Sequence, residues 1–285
     1  MKKIISLFLF FIPIFTVFAQ EDLLNELEMA SEGNNSKVTS TFKALKIVNL
    51  ESTKMASKGD LYFNISHRFG SIKGGQKEFF GFDQSTVRFS FYYGLTDWLT
   101  IGTSRSSFQK TYDFTAKYKF INQRVHGFPV TIAGFNAVSI NTQLSRNNLP
   151  LLEYKHRLTY LSELLISRKI SPGLSLEVAP MYIHENYVAN PLQDNAQYAI
   201  GTGGRIKLSQ RVTFNADYVY HLNRQDNSVF RNELSVGFDI DTGGHVFQLH
   251  FTNAQPMYDA GFVTNAAGDW TKGDVYFGFN LSRVF

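Results

Sequence analysis

The stretch GDVYFGFNLSRVF, residues 273–285, alternates along its length and finishes on an aromatic residue. Val275, Phe277, Phe279 and Leu281 fall on one side of an extended chain, and Tyr276, Gly278, Asn280 and Ser282 on the other. A period of two marks a β-strand with one apolar face. In a sheet surrounded by water that face would meet a core; in a membrane it would meet lipid. The rest of the sequence decides between the two.

Working back from that strand, the same pattern recurs as far as Gly59. Twelve segments alternate to some degree, at 60–69, 85–94, 97–105, 110–121, 128–141, 156–169, 174–184, 197–208, 211–222, 232–241, 245–254 and 273–285. In YDFTAKYKF, Tyr112, Phe114, Ala116, Tyr118 and Phe120 face out, while Asp113, Thr115, Lys117 and Lys119 face in. Short turns are expected at Leu95-Thr96, Asn122–Gly127, Ser171–Gly173, Ser209-Gln210 and Asp241–Gly244. Longer polar loops are expected at 70–84, 143–155, 185–196, 223–231 and 255–272, with one shorter loop near 106–109. Short turns at one end and long loops at the other are the habit of transmembrane barrels, as is an even strand number. Twelve strands also bring both chain ends to the short-turn side.

That reading explains why the last strand should run to the end of the sequence. Backbone N–H and C=O groups facing hydrocarbon must pair within the protein, so a spanning sheet has to close. The final strand must therefore reach the first. Its terminal aromatic, Phe285, resembles the C-terminal signature of outer-membrane barrels, which implies recognition by the barrel-insertion machinery. Trp98, Tyr93, Tyr118, Tyr182 and Phe285 suit aromatic girdles at the lipid interfaces.

Residues 1–19 read as a secretory signal peptide: Lys2 and Lys3, an apolar run from Ile4 to Phe18, and Val17-Phe18-Ala19 before the expected cleavage. No other apolar run approaches the roughly 18 residues that a spanning helix needs. A mean hydropathy of −0.16 beside 15% aromatic residues fits a barrel, where only alternate residues meet lipid. The net charge falls from +4 to +2 once Lys2 and Lys3 are set aside, so no nucleic-acid partner is implied. The sequence has no cysteine, which excludes disulfides, thiolate metal sites and a lipidated cysteine.

Residues 20–58 differ from the rest. Leu23, Leu24 and Leu27 are spaced as on a helix, whereas TFKALKIVNLESTKMASKG is partly apolar without a period. The segment reads as a periplasmic arm, a segment lying in the barrel mouth, or a poorly ordered lead-in to the first strand. Residues 59–285 form the barrel.

The stretches KIVNLESTKMASKGDLYFNISHRFG (Lys46–Gly70) and YGLTDWLTIGTSRS (Tyr93–Ser106) resemble a family of outer-membrane β-barrels known as domain of unknown function, type 5777. The resemblance implies an outer-membrane barrel in a Gram-negative bacterium. It implies no activity and no site residues.

Parity assigns the candidate residues. A basic side chain at mid-bilayer on the lipid face costs about 2–4 kcal/mol, so charges belong in the lumen. Arg68, Arg88, Lys117, Lys119, Arg205 and Lys207 face inward, as do Asp113, Glu163, Glu177, Asp217 and Asp239. Either the uneven wall sets up a transverse field that orients polar solutes, or these charges pair and fill the interior. Twelve strands lie between the filled small barrels and the open porins, so both outcomes are physically allowed. Asp217, His221, Glu233, Ser235 and His250 share the inward parity on neighbouring strands, as a nucleophilic or ligand-binding cluster would require. An ordinary hydrogen-bonded lumen network would look the same. The seven histidines show no metal motif, and GTGGR at 201–205 lacks phosphate-loop spacing, so neither metal nor cofactor is implied.

The fold expected is all-β: a closed antiparallel transmembrane β-barrel of about twelve strands. The function expected is a channel or porin-like protein for a small polar solute. The alternatives are a non-conducting barrel acting through its loops or arm, and an outer-membrane hydrolase.

Overall fold

The computed structural model describes residues 36–39 and 41–285; the signal peptide and the helical spacing at 23–27 lie outside the described residues. Twelve antiparallel strands form a closed barrel in chain order. They are β1 (Leu61–Ser71), β2 (Ser85–Thr96), β3 (Leu99–Ser106), β4 (Thr111–Ile121), β5 (Thr131–Asn141) and β6 (Leu158–Ser171). The second half comprises β7 (Leu174–Glu185), β8 (Ala196–Lys207), β9 (Val212–His221), β10 (Glu233–Asp241), β11 (His245–Thr252) and β12 (Tyr276–Val284). β12 pairs with β1 from Tyr62↔Val284 to Ser71↔Tyr276. Leu61 and Phe285 exchange both backbone hydrogen bonds, at 3.1 and 2.9 Å, so the seam is closed to the last residue.

Alternation holds along most of the wall. On β4, Thr111, Asp113, Thr115 and Lys117 are buried while Tyr112, Phe114 and Phe120 are exposed. The exposed positions of other strands carry Phe89, Phe91, Leu176, Val178, Tyr218, Tyr220, Phe247 and Leu249, which make the apolar belt. Phe277, Phe279 and Leu281 belong to that belt, and Gly278 and Asn280 face the lumen. Val275 does not follow the expected parity: it lies buried before the strand begins, beside a register shift in β1 between Arg68 and Ser71. Pro180, in mid-β7, has no N–H to donate, and the β6–β7 ladder skips there from Glu163↔Met181 to Ile166↔Val178. The first short turn lies two residues later than expected, at Asp97-Trp98, because β2 continues to Thr96 and pairs it with Leu99.

Two segments outside the wall position the site. Residues 41–58 run inside the barrel from the short-turn end, with Leu50, Glu51 and Ser52 almost without exposure. The segment after β11, expected as an outer polar loop, dips back from the other end and forms a short helix, α1 (Asp259–Thr264), whose six residues are all buried. The core of this fold is its lumen.

Candidate functional site

The N-terminal segment enters as a tight hairpin. Lys46 bridges Glu51, Ser52 donates to Leu45 O at 2.9 Å and Ile47 donates to Leu50 O at 2.8 Å, leaving Val48-Asn49 at the tip. An irregular tip in a dry interior must have its polar groups satisfied from outside. The wall does this. Three successive amides, of Val48, Asn49 and Leu50, each donate to one carboxylate oxygen of Asp217 at 2.9 Å, a backbone nest closed on an anion. Gln248 donates to Ile47 O at 2.9 Å and Asn280 to Val48 O at 3.3 Å. The Asn49 amide donates to Glu233 at 3.0 Å, Ser235 at 3.0 Å and Thr252 at 3.1 Å, and its oxygen accepts from Arg68 at 2.8 Å.

The flanks of the tip are apolar. Ile47 and Leu50 pack with Phe42 against Phe135, Leu161, Leu165, Met181 and Ile183, and with Tyr258, Phe262 and Val263 from the opposite loop. Two glycines of GTGGR make the room. A Cβ on Gly203 would sit 2.6 Å from Ile47 Cδ1, and one on Gly201 would sit 2.8 Å from Leu50 Cδ1. The small residues of that strand are a socket for the plug.

The other side of the lumen is ionic. Lys46 pairs with Glu51 at 2.6 Å and with Asp259, and Lys117 pairs with Glu51 at 2.6 Å. Arg88 pairs with Asp113 at 3.3 Å and Asp259 at 3.5 Å, and donates to Ser104 and to Met257 O. Three bases and three acids thus join hairpin, wall and α1 in one buried network. The wall charges do not stand alone across an open pore, as the transverse-field alternative required; many meet partners carried by the two inserted segments.

The sequence-assigned residues divide accordingly. Arg68, Arg88, Lys117, Arg205, Asp113, Asp239, Glu163 and Glu177 are buried inside the barrel, while Lys119 and Lys207 are half-buried near its short-turn rim. Of the five-residue cluster, Asp217, Glu233 and Ser235 meet around Asn49, with Ser235 donating to Glu233. His221 turns instead to Gln197 at 2.7 Å, and among the described residues neither ring nitrogen of His250 has a hydrogen-bond partner. Sequence reasoning missed Lys46, Asn49, Glu51 and Asp259. Their signal was present but weak: polar side chains between apolar ones, in segments with no period.

Open space remains at both mouths. At the long-loop mouth a cavity of about 660 Å³ is lined by Gln109, Asn141, Arg157, Tyr187, Gln193 and Arg224 among others. Burial and the adjacent Arg231 pull the Arg224 guanidinium down to about 10. At the short-turn mouth a cavity of about 470 Å³ is lined by residues of the hairpin stem and of β6, β8 and β10–β12. Among the described residues no three histidine or carboxylate side chains gather where a metal ion could sit.

A family model described as "Membrane bound beta barrel domain (DUF5777)" matches residues 42–285. No curated protein sequence matches the chain. Among solved structures, the NanC porin is 10% identical with a TM-score of 0.50, over 79% of this chain and 98% of its own. The KdgM porin in complex with disordered oligogalacturonate is 7% identical with a TM-score of 0.50, over 79% of this chain and 99% of its own. At these identities the likeness is one of fold.

Proposed function

The chain belongs to the family of membrane-bound β-barrel domains matched over residues 42–285, and from that premise we propose a porin-like barrel of the outer membrane that passes a small polar solute past a movable plug. The observation that carries this reading is the pair of cavities, about 660 and 470 Å³, at the two mouths of one lumen. Between them stands a layer of non-wall chain, residues 41–58 and α1. Irregular backbone is tolerated at membrane depth where it is buried in protein or lines a cavity. Here it is both held and releasable, because wall side chains supply hydrogen bonds that water could replace.

Asp217, Glu233 and Ser235 are plug contacts in this state, and a solute would meet them once the hairpin has moved. Hydrolysis is disfavoured by the same geometry, since the His221 ring bonds Gln197 and the Ser235 hydroxyl donates to Glu233. A permanently filled, non-conducting barrel is the second reading, and the apolar packing of Ile47 and Leu50 against Phe262 favours it. Planar-bilayer recording and liposome swelling with a small polar solute separate the two. Openings and solute entry with the intact chain are expected; a barrel that stays silent even after the plug is loosened is a filled barrel.

Orientation has its own test. The chain has no cysteine, so single cysteines report without background. Asn147→Cys, in the exposed loop before β6, is expected to react with an impermeant maleimide on intact cells, and Gly243→Cys is not. Phe262→Cys should stay protected although it lies in a long-loop segment, because that residue is buried in the lumen. Labelling at position 243 and none at 147 would reverse the barrel in the membrane.

A further inference from the structure

The loop between β1 and β2, expected to be polar, presents aromatic rings instead. Phe79 is 62% exposed and Phe80 46%, and Phe82 is exposed beside them. Phe82 rests on Phe69 of β1 at 4.6 Å between ring centres and on Phe277 of β12 at 6.2 Å, and Phe79 rests on Phe82 at 5.5 Å. Phe69 in turn stacks on Phe277 at 5.8 Å, and Phe277 meets Phe251 at 5.4 Å. Phe69, Phe277 and Phe251 stand on the outward faces of β1, β12 and β11. The loop therefore continues the lipid-facing belt past the ends of its strands, over the seam where the barrel closes.

The backbone holds the rings in that place. Gly70 donates to Gln84 O at 3.0 Å and Ile72 to Val275 O at 2.9 Å, while the Ser71 hydroxyl donates to Asp274 at 2.6 Å. The base of the loop is thus fastened to the chain entering β2 and to the chain entering β12. Gly81, at φ +84°, returns so close to β1 that a Cβ on it would sit 2.3 Å from Gly70 O. Phe79 and Phe80 have φ of 45° and 53°, the left-handed region that favours glycine. A strained backbone that presented its rings to water would be unfavourable on both counts. Against acyl chains, the same rings leave water and offset the strain. The exposed charges of the loop, Lys73 and Lys77 against Glu78 and Asp83, balance, so it carries no net attraction for charged headgroups.

We propose that this loop is a lipid anchor: Phe79, Phe80 and Phe82 insert among the acyl chains of the leaflet on the long-loop side, beside the β1–β12 seam. The occupant is hydrocarbon and not a protein partner, because the patch is continuous with the belt and a partner seated on it would have to displace lipid from the belt as well. Balanced charge makes the acyl chains, not the headgroups, the source of the attraction. The anchor stands over the seam, on one side of the barrel, and is independent of whether the lumen conducts.

The test is spin labelling of the full-length chain, whose lack of cysteine leaves no background. Nitroxides at Phe80→Cys and, separately, at Phe79→Cys are read in phosphatidylcholine vesicles by their collisions with oxygen, which concentrates in hydrocarbon, and with a water-soluble nickel chelate. Val178→Cys on the exposed face of β7 and Asn147→Cys in an exposed loop set the two limits. Heat-modifiable migration of each labelled variant shows that the barrel has folded. The ratio of oxygen to nickel collisions at both loop sites is expected to lie close to that at Val178 and several-fold above that at Asn147. It should stay there when half of the lipid is exchanged for phosphatidylglycerol. A ratio equal to that at Asn147, at either site, would put the rings in water and overturn the anchor. Poor access to both reagents would place them against protein, whether this chain or a second copy, and overturn it equally. Insertion that appears only with phosphatidylglycerol would make the contact one of lysines with headgroups, and the rings would not be its source.

Discussion

Arg88→Met is expected to release α1 from the lumen while leaving the barrel wall assembled. The Arg88 guanidinium faces both Asp113 and Asp259, donates to Ser104 at 2.9 Å and holds Met257 O at 2.8 Å. Methionine keeps the length of the stem and removes the charge. Asp113 retains hydroxyl donors from Ser104 and Ser139, at 2.7 and 2.6 Å, and is partly compensated. Asp259 keeps Lys46, but that lysine is shared with Glu51. Breaking a buried ion pair from one side costs roughly 3–5 kcal/mol, because the remaining charge is left uncompensated in a poor solvent for it. The cheapest relief is for α1 to move out to water with Asp259. Chymotrypsin added from the long-loop side should then cut after Tyr258 or Phe262 on the order of a hundred times faster, as cleavage follows the population of the open form. Arg88→Lys should recover part of the protection, since it restores charge without the planar fork. Protection equal to that of the parent chain would show that the network does not hold the loop.

Asp217→Ala acts on the plug from the other side. It removes the one oxygen that accepts from three amides, each at 2.9 Å. A buried N–H left without an acceptor costs about 1–3 kcal/mol, so the plugged state should lose on the order of 3 kcal/mol or more. That is a shift of about a hundredfold in the ratio of open to closed. In single-channel records the variant is expected to dwell open where the parent opens rarely. Asp217→Asn keeps a carbonyl acceptor but no charge, and should fall between the two. Records as quiet as those of the parent, from a barrel that still migrates as folded, would mean that the hairpin does not gate the lumen.

The strands were legible because each is a local statement. On β4 the parity of Asp113, Thr115 and Lys117 against Tyr112, Phe114 and Phe120 is set by lipid on one side and lumen on the other. No distant contact is needed to impose it. The exceptions are equally local: Val275 falls beside a register shift, and the turn at Asp97-Trp98 is displaced because Thr96 pairs with Leu99. The inward cluster was legible only as a list of side chains. That Asp217, Glu233 and Ser235 meet followed from adjacent strands in register, as Asp217↔Ser235 does in the structure. What they meet was not legible, since Asn49 lies 184 residues from Glu233 in the chain.

By itself, then, the sequence determined a twelve-stranded closed barrel, the faces of its strands and the end at which its long loops lie. Alternation, turn spacing and the need to pair every backbone group in lipid act over a few residues at a time. Whether the lumen is open was decided only by the tertiary structure. Residues 41–58 and α1 have no period to read, because their polar groups are satisfied by side chains far along the chain, as Asn49 is by Glu233 of the wall across 184 residues and Lys46 and Asp259 are by one another across 213. A strand advertises the medium on each of its faces; a plug takes its conformation from the socket, and the socket exists only once the barrel has closed.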